Sequence, residues 1–129
     1  MTIRAADLTG LKVLVIEDNF LVADVLCESL REYGCEIVGP APDIDRSEKL
    51  IDQNISDGET LSGALLDINL GGFFSFPIAA KLQALGIPFI FLTGYDEKSV
   101  VPVEFQSIRR VSKPCDVDEL AAIIRAAFR

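Results

Sequence analysis

Histidine is absent from the 129 residues of this sequence. Its absence excludes Ser-His-Asp and Cys-His catalysis, histidine-ligated zinc, and any phospho-histidine chemistry that this chain could carry out alone. If a histidine donates a phosphoryl group to this protein, that histidine must belong to another molecule.

Cysteines, basic residues and long apolar runs are also scarce. The three cysteines, Cys27, Cys35 and Cys115, lack a Cys-x-x-Cys spacing, which favours reduced thiols in a cytosolic protein over a disulfide framework. Lys and Arg number 12 against 20 Asp and Glu, giving a formal net charge of −8, so no nucleic-acid partner is expected. No apolar segment reaches membrane-spanning length, and we expect a cytoplasmic protein without a membrane partner.

The composition that remains is that of a folded domain. Hydrophobic residues make up 50% of the chain and charged residues 25%, which indicates a globule with its own core. The length is that of one ordinary domain. We therefore expect residues 1–129 to form a single domain, with 1–10 as a short N-terminal lead-in.

Short apolar runs alternate with helical patterns along the chain. The apolar runs predict five strands, at 11–16, 35–39, 63–67, 88–93 and 108–112. Helical spacing predicts helices at 19–34, 43–57, between Pro77 and Gly86, and from 117 to 128, with a Gly-Gly loop at 71–72. Because the strands are apolar throughout rather than alternating, the pattern is typical of an α/β fold with a parallel sheet covered by helices on both faces.

Polar side chains stand where four of the predicted strands end. The first strand ends in Glu17 and Asp18, the third in Asp67, the fourth in Thr93 and the fifth in Lys113. In an open parallel sheet, ligands bind at the carboxyl ends of the strands. Asp67 directly follows Ala-Leu-Leu, where a buried carboxylate needs a partner. Each of the other residues alone could be a helix cap, a turn or a strand exit, but together they favour a functional site.

Three neighbouring carboxylates repel one another unless a cation neutralises them, and oxygen ligands with open water positions favour Mg²⁺. A metal held in this way suits a substrate with anionic oxygens, such as a phosphoryl group. Lys113 would contribute a second positive charge and Thr93 a hydroxyl donor. Asp67 could then attack phosphorus, as carboxylates do in aspartyl-phosphate chemistry.

These residues resemble a known family. Glu-Asp at 17–18, Asp67, Thr93 and Lys-Pro at 113–114 together resemble the receiver domain of two-component response regulators over nearly the whole chain. The resemblance implies a flavodoxin-like, doubly wound sheet of five parallel strands in the order 2-1-3-4-5. It also implies that Asp67 accepts a phosphoryl group from a histidine kinase or phosphotransfer protein.

The resemblance further implies a role for each residue at the sheet edge. Asp18, Asp67 and the backbone carbonyl of Asn69 would bind Mg²⁺ directly, and Glu17 would act mainly through metal-bound water. Lys113 would pair with the phosphoryl group, and the peptide bond between it and the next residue is expected to be cis. Thr93 would turn inward to donate a hydrogen bond to the phosphoryl group, which is the switch step.

Two features depart from many receivers. The position three residues before Lys113 carries Arg110 instead of an aromatic switch residue, and the segment between Thr93 and Lys113 predicts an irregular or shortened fourth helix. With PFIFLTGY at 88–95, both features resemble a subgroup of single-domain alphaproteobacterial regulators with a Phe-Ala-Thr-Gly-Tyr-like motif, in which Leu92 replaces the alanine. That subgroup is associated with general stress signalling. Tyr95 is then a candidate for the aromatic switch, or it merely covers the sheet edge.

Two classes of function follow from this pattern. In the first, a stand-alone receiver signals to an unknown protein target, relays phosphate or acts as a phosphate sink. It would be a monomer or a weak phosphorylation-dependent dimer, and it would not be an enzyme beyond self-phosphorylation and slow self-dephosphorylation. In the second, the chain is a small Mg²⁺-dependent phosphohydrolase with an aspartyl-phosphate intermediate. In enzymes of that kind, the nucleophile lies at the first strand and is followed two positions later by a second acid, a DxD arrangement. Here Asp67 lies at the end of the third strand, and the residue two positions later is Asn69. A binding module without phosphorylation has no support in the sequence.

Overall fold

The computed structural model describes residues 6–94 and 101–129. Numbered in chain order, its strands are β1 (Lys12–Ile16), β2 (Glu36–Ala41), β3 (Gly63–Asp67), β4 (Asn69–Leu70), β5 (Phe73–Phe74), β6 (Phe89–Thr93) and β7 (Arg110–Ser112). Five of them form one parallel sheet in the order β2-β1-β3-β6-β7. Since β6 and β7 are the fourth and fifth strands of this sheet, the predicted order 2-1-3-4-5 is confirmed.

Four helices flank the sheet within the described residues: α1 (Phe20–Glu32), α2 (Ile44–Ser56), α3 (Phe76–Ala84) and α4 (Val117–Phe128). Their start sites follow from local chemistry, because the side chains of Asn19 and Asp43 accept hydrogen bonds from the first turns of α1 and α2. Pro77 lies in the first turn of α3, where its missing N–H has no helical partner to lose. The flavodoxin-like fold is thus confirmed. No helix in these two ranges has the length and apolar character needed to span a membrane.

The core has two layers, one on each face of the sheet, because successive strand residues point to opposite sides. The layer under α1 and α4 includes Val13, Val15, Leu30, Leu65, Ile90 and Ile124. The layer under α2 and α3 includes Leu14, Ile16, Ile51, Leu66, Ile78 and Phe91. The three central strands β1, β3 and β6 are buried on both faces, which explains why their sequences are apolar without alternation.

The connection between β6 and β7 is irregular where the structure describes it. Residues 101–109 contain one turn of 3-10 helix, Val103–Phe105, and no α-helix. Val101 and Phe105 are buried against the layer under α2 and α3. This agrees with the prediction of an irregular fourth helix, while Tyr95 and the rest of 95–100 lie outside the described residues.

An antiparallel hairpin follows β3 and was not part of the predicted fold. Strands β4 and β5 pair through Asn69 with Phe74 and Leu70 with Phe73. Gly71 and Gly72 form the two-residue turn with φ angles of +61° and +96°. A turn with positive φ at both central positions matches the twist of a hairpin, and glycine adopts it without strain. The sequence predicted only a loop here because strands of two residues are too short to show a period.

Candidate functional site

Strands β1 and β3 bring carboxylates to the same edge of the sheet. Ile16 of β1 is paired with Leu66 of β3, so the next residues, Glu17 and Asp67, lie side by side at the ends of the two strands. Both residues are only 2% exposed, whereas the adjacent Asp18 is exposed. Oxygens of the three carboxylates lie within 4.8 Å of one another. The topology therefore assembles an acidic cluster, most of it removed from water.

Lys113 supplies positive charge to this cluster. Its Nζ lies 2.9 Å from Oδ2 of Asp67 and 3.3 Å from Oε2 of Glu17. The backbone N–H of Lys113 donates to the carbonyl oxygen of Thr93 at 2.8 Å, which fixes the chain directly after β7 against the end of β6. The Lys113–Pro114 peptide bond is cis, as the sequence resemblance implied.

The cluster perturbs the proton affinity of its own members. Burial, reinforced by the neighbouring Glu17 carboxyl and opposed by Lys113, raises the pKa of Asp67 to about 8. Burial works to lower the pKa of Lys113, but the two carboxylates outweigh it and the pKa is raised. The cluster of three carboxyl groups thus contains one ammonium group, which contacts two of them, and the site favours a further cation.

The donor set of the cluster fits a hard divalent cation. Oδ1 of Asp67 is buried and accepts no hydrogen bond from any described residue, although a buried carboxylate oxygen needs a partner. Asp18 lies on the exposed side of the cluster, which leaves room for water ligands. Carboxylate oxygens with open water positions are the ligands of Mg²⁺ in proteins. Residues Glu17, Asp18 and Asp67 are therefore chemically suited to hold this ion.

Solved structures similar to this chain include response regulators. PhyR from Brucella abortus is 25% identical with a TM-score of 0.79; the match covers 96% of this chain and 49% of PhyR, so this chain spans about half of that protein. SdrG from Sphingomonas melonis Fr1 is 29% identical with a TM-score of 0.70 over 96% of this chain and 98% of SdrG. A response regulator receiver domain protein from Clostridium thermocellum shares the fold, with 16% identity and a TM-score of 0.75 over 92% of this chain and 94% of that one. The chain has the fold of response regulator receiver domains.

Other comparisons add no relative, since neither a protein-family model nor a curated protein matches this chain. The fold assignment therefore rests on the solved structures.

The remaining predicted site residues lie around the acidic cluster or further along the sheet. Thr93 is the last residue of β6 and is buried, one position beyond the residue that pairs with Asp67. Asn69 begins β4, and its side-chain Oδ1 accepts a hydrogen bond from the N–H of Gly72 at 2.8 Å. Arg110 is exposed in the edge strand β7. The other switch candidate, Tyr95, lies outside the described residues.

Sequence reasoning missed an apolar groove beside the site. The groove has a volume of about 620 Å³ and lies between α1 and the segment after β7, where it reaches Lys113. Its lining includes Leu21, Val22, Val25, Leu92, Pro114 and Val117. Helical spacing in α1 fits burial of Leu26 and Leu30, but Leu21 and Val25 are 73% and 63% exposed. The available signal was that α1 has more apolar residues than one buried face requires.

Proposed function

We propose that this receiver domain accepts a phosphoryl group on Asp67 from the phospho-histidine of a histidine kinase or phosphotransfer protein, in a Mg²⁺-dependent reaction. The observation that carries the proposal is the state of the Asp67 carboxylate. One oxygen contacts the ammonium group of Lys113 at 2.9 Å, and the other is buried inside the acidic cluster without a hydrogen bond from residues 6–94 or 101–129. A carboxylate placed in this way is suited to attack an electrophile that arrives with a cation.

The transfer conserves atoms and charge in a simple way. An oxygen of the Asp67 carboxylate forms a bond to phosphorus, and the P–N bond to the imidazole of the donor breaks. The bonding electron pair stays on the imidazole nitrogen of the donor protein. Lys113, already in contact with Asp67, would then form an ion pair with a phosphoryl oxygen.

The metal ion would be held by Asp18, Asp67 and the backbone carbonyl of Asn69, with Glu17 acting through metal-bound water. When bound, Mg²⁺ supplies neutralisation of the negative charge that carboxylates and phosphoryl oxygens share. The buried Thr93 at the end of β6 would donate its hydroxyl to the phosphoryl group and so couple phosphorylation to the neighbouring surface.

The donor histidine must approach from another protein, since the chain contains none. We propose that the donor protein covers the apolar groove, because the groove extends from the exposed residues of α1 to Lys113 at the acceptor site. Exposed apolar side chains next to a polar reaction centre are typical of a protein contact surface. This exchange would take place in the cytoplasm, and phosphorylation would regulate contacts with a protein target or pass phosphate onward.

The PFIFLTGY segment supports membership of the single-domain subgroup with the Phe-Ala-Thr-Gly-Tyr-like motif. General stress signalling is the pathway class that this membership implies. We also propose that residues 1–129 act as one domain whose only catalysis is its own phosphorylation and slow dephosphorylation.

Acetyl phosphate tests the acceptor directly. With Mg²⁺, intact-mass measurement should show one phosphate per chain, and Asp67→Asn or removal of Mg²⁺ by a chelator should abolish it. Asp52→Asn is the matched control, because Asp52 is an exposed aspartate on α2, salt-bridged to Lys81 and away from the cluster. Phosphate incorporation into Asp67→Asn would contradict the proposal, and turnover of phosphomonoesters that survives this variant would favour a phosphohydrolase.

A further inference from the structure

The tip of the β4–β5 hairpin is bound to the acidic cluster. The backbone N–H of Gly71 donates a hydrogen bond of 2.9 Å to Oδ2 of Asp18, which lies 53 residues earlier in the chain. The tip is itself closed by the N–H of Gly72, which donates to the Asn69 side chain. The hairpin thus connects the segment after β1 to the segment after β3 through a hydrogen bond outside the sheet.

The residue that follows the hairpin, Ser75, is hydrogen-bonded to the main chain at Asp67 and Ile68. Ser75 is fully buried, and its hydroxyl donates to the backbone carbonyl of Asp67. The backbone N–H of Ser75 donates to the carbonyl of Ile68 at 2.8 Å. These two bonds fix the peptide units that connect Asp67 to Asn69.

The cluster needs such support on its exposed side. Glu17 and Asp67 are buried and held by Lys113, but Asp18 is exposed and would otherwise be free to change rotamer. Groups that hydrogen-bond to metal ligands orient those ligands, and their loss typically lowers metal affinity by about 10- to 100-fold. Among the described hydrogen bonds, the bond from Gly71 is the one made to the Asp18 carboxylate.

We propose that the β4–β5 hairpin positions the Mg²⁺ ligands of this receiver domain. In this role Gly71 orients the Asp18 carboxylate, and Ser75 fixes the main chain from Asp67 to Asn69. The inference rests on the metal site of the proposed function. Gly71 and Ser75 are positioning residues, since neither would touch the metal or the phosphoryl group.

The test measures Mg²⁺ affinity by isothermal titration calorimetry, without phosphate or kinase. Gly71→Pro removes the N–H that Asp18 accepts, and Ser75→Ala removes the hydroxyl bound to the Asp67 carbonyl. We expect each variant to bind Mg²⁺ about tenfold more weakly than the unaltered chain.

Two matched variants separate positioning from general damage. Gly72→Ala places backbone strain one residue further along the turn, where φ is +96°, but keeps the N–H groups of both Gly71 and Gly72 and creates no close contact. Ser47→Ala deletes another fully buried serine hydroxyl, which donates to the carbonyl of Asp43 at 2.7 Å in α2, far along the chain from the hairpin. Both controls should keep Mg²⁺ affinity within about twofold, even where thermal unfolding shows the same loss of stability as in the test variants.

The outcomes distinguish this inference from the proposed function. Unchanged affinity in Gly71→Pro and Ser75→Ala, or equal losses in the test and control variants, would overturn the positioning role while the metal site stands. If the unaltered chain binds no Mg²⁺ at millimolar concentration, both the metal site and its positioning by the hairpin are wrong. If Mg²⁺ binds with the expected pattern but Asp67 accepts no phosphate, the inference holds and the phosphotransfer proposal fails.

Discussion

The acidic cluster contains two kinds of carboxylate that differ in how the fold holds them. Glu17 and Asp67 are buried and share the ammonium group of Lys113, whereas Asp18 is exposed and is held by the N–H of Gly71. The buried pair is therefore part of the energetics of folding, because uncompensated buried charge is costly. Asp18 is exposed and should contribute little to folding, so its proposed role is confined to metal binding. Mg²⁺ affinity and fold stability should respond to different substitutions in the same cluster.

The largest effect is expected on metal binding from the exposed side. Asp18→Asn should weaken Mg²⁺ binding by at least about 100-fold, because it removes a charged ligand rather than a supporting group. Its free energy of unfolding should change by less than about 0.5 kcal/mol, as is usual for an exposed position. Titration calorimetry and chemical denaturation of the same variant measure the two quantities, and a large loss of stability would contradict the distinction.

A variant of Lys113 should change fold stability instead of metal affinity, because this lysine contacts the buried carboxylates. Lys113→Ala should lower the free energy of unfolding by about 2 kcal/mol at about pH 8, below the usual range for a broken buried pair because the lysine side chain is 31% exposed. The loss should be smaller at about pH 6, where a protonated Asp67 needs no cation. Mg²⁺ binding should remain largely intact.

Lys49→Ala is the matched control for that lysine, since Lys49 forms a solvent-exposed ion pair with Asp45 within α2. We expect it to change stability by less than about 0.5 kcal/mol. Equal effects of the two lysine variants would mean that Lys113 does not compensate buried charge, and a loss of metal affinity in Lys113→Ala would contradict the role assigned to it.

The pH dependence of stability should report the buried pair specifically. The pKa of Asp67 is raised from 3.8 to about 8 in the folded chain, chiefly by burial. Between these values the folded state binds more protons than the unfolded state, so without metal the free energy of unfolding should fall as pH rises from about 4 to about 8. Mg²⁺ binding should strengthen over the upper part of that window, because the ligand must lose its proton.

Asp67→Asn supplies the comparison for the pH profile. Its metal-free stability should be nearly flat between about pH 5 and about pH 8, and denaturant titrations at several pH values measure the slope. A profile as steep as that of the unaltered chain would assign the pH dependence to other groups.

A smaller and separate effect is expected from the apolar groove, which touches neither Asp18 nor the buried pair. Leu21→Ser should slow phosphotransfer from the cognate kinase about tenfold, the size expected for truncating one exposed apolar contact. Phosphorylation by acetyl phosphate should be unchanged. Ile55→Ser on α2 is the control, because Ile55 is 51% exposed and belongs to another helix. Equal loss with both phosphate donors would place the defect in the acceptor site instead of in docking.

Much of the fold followed from local features of the sequence. The strands at β1, β3 and β6 are dense apolar runs, and the caps at Asn19 and Asp43 are short-range interactions, so both could be predicted. The meeting of carboxylates at one sheet edge followed from the topology, because parallel strands end on the same side. For these features, the physical cause acts between residues close in sequence or follows from the strand order, so the sequence pattern is enough to predict them.

The features that were missed depend on long-range contacts. The bond from Gly71 to Asp18 and the one from Ser75 to Asp67 require the sheet to be assembled before their partners meet. The exposure of Leu21 was equally hidden, because spacing predicts which residues share a helical face but does not say which face the sheet covers. Polar serine and glycine in a loop carry no periodic signal.

The ring of Phe76 at the start of α3 lies between two irregular segments. It stacks on Phe74 of the hairpin, with ring centroids 5.5 Å apart, and on Phe105 of the 3-10 turn at 6.0 Å. Such a shared packing partner makes separate opening of the two segments unfavourable, because either one would leave the same ring exposed. We therefore expect the hairpin and the 3-10 turn to open together, so that backbone amides from both exchange their hydrogens with a common opening free energy.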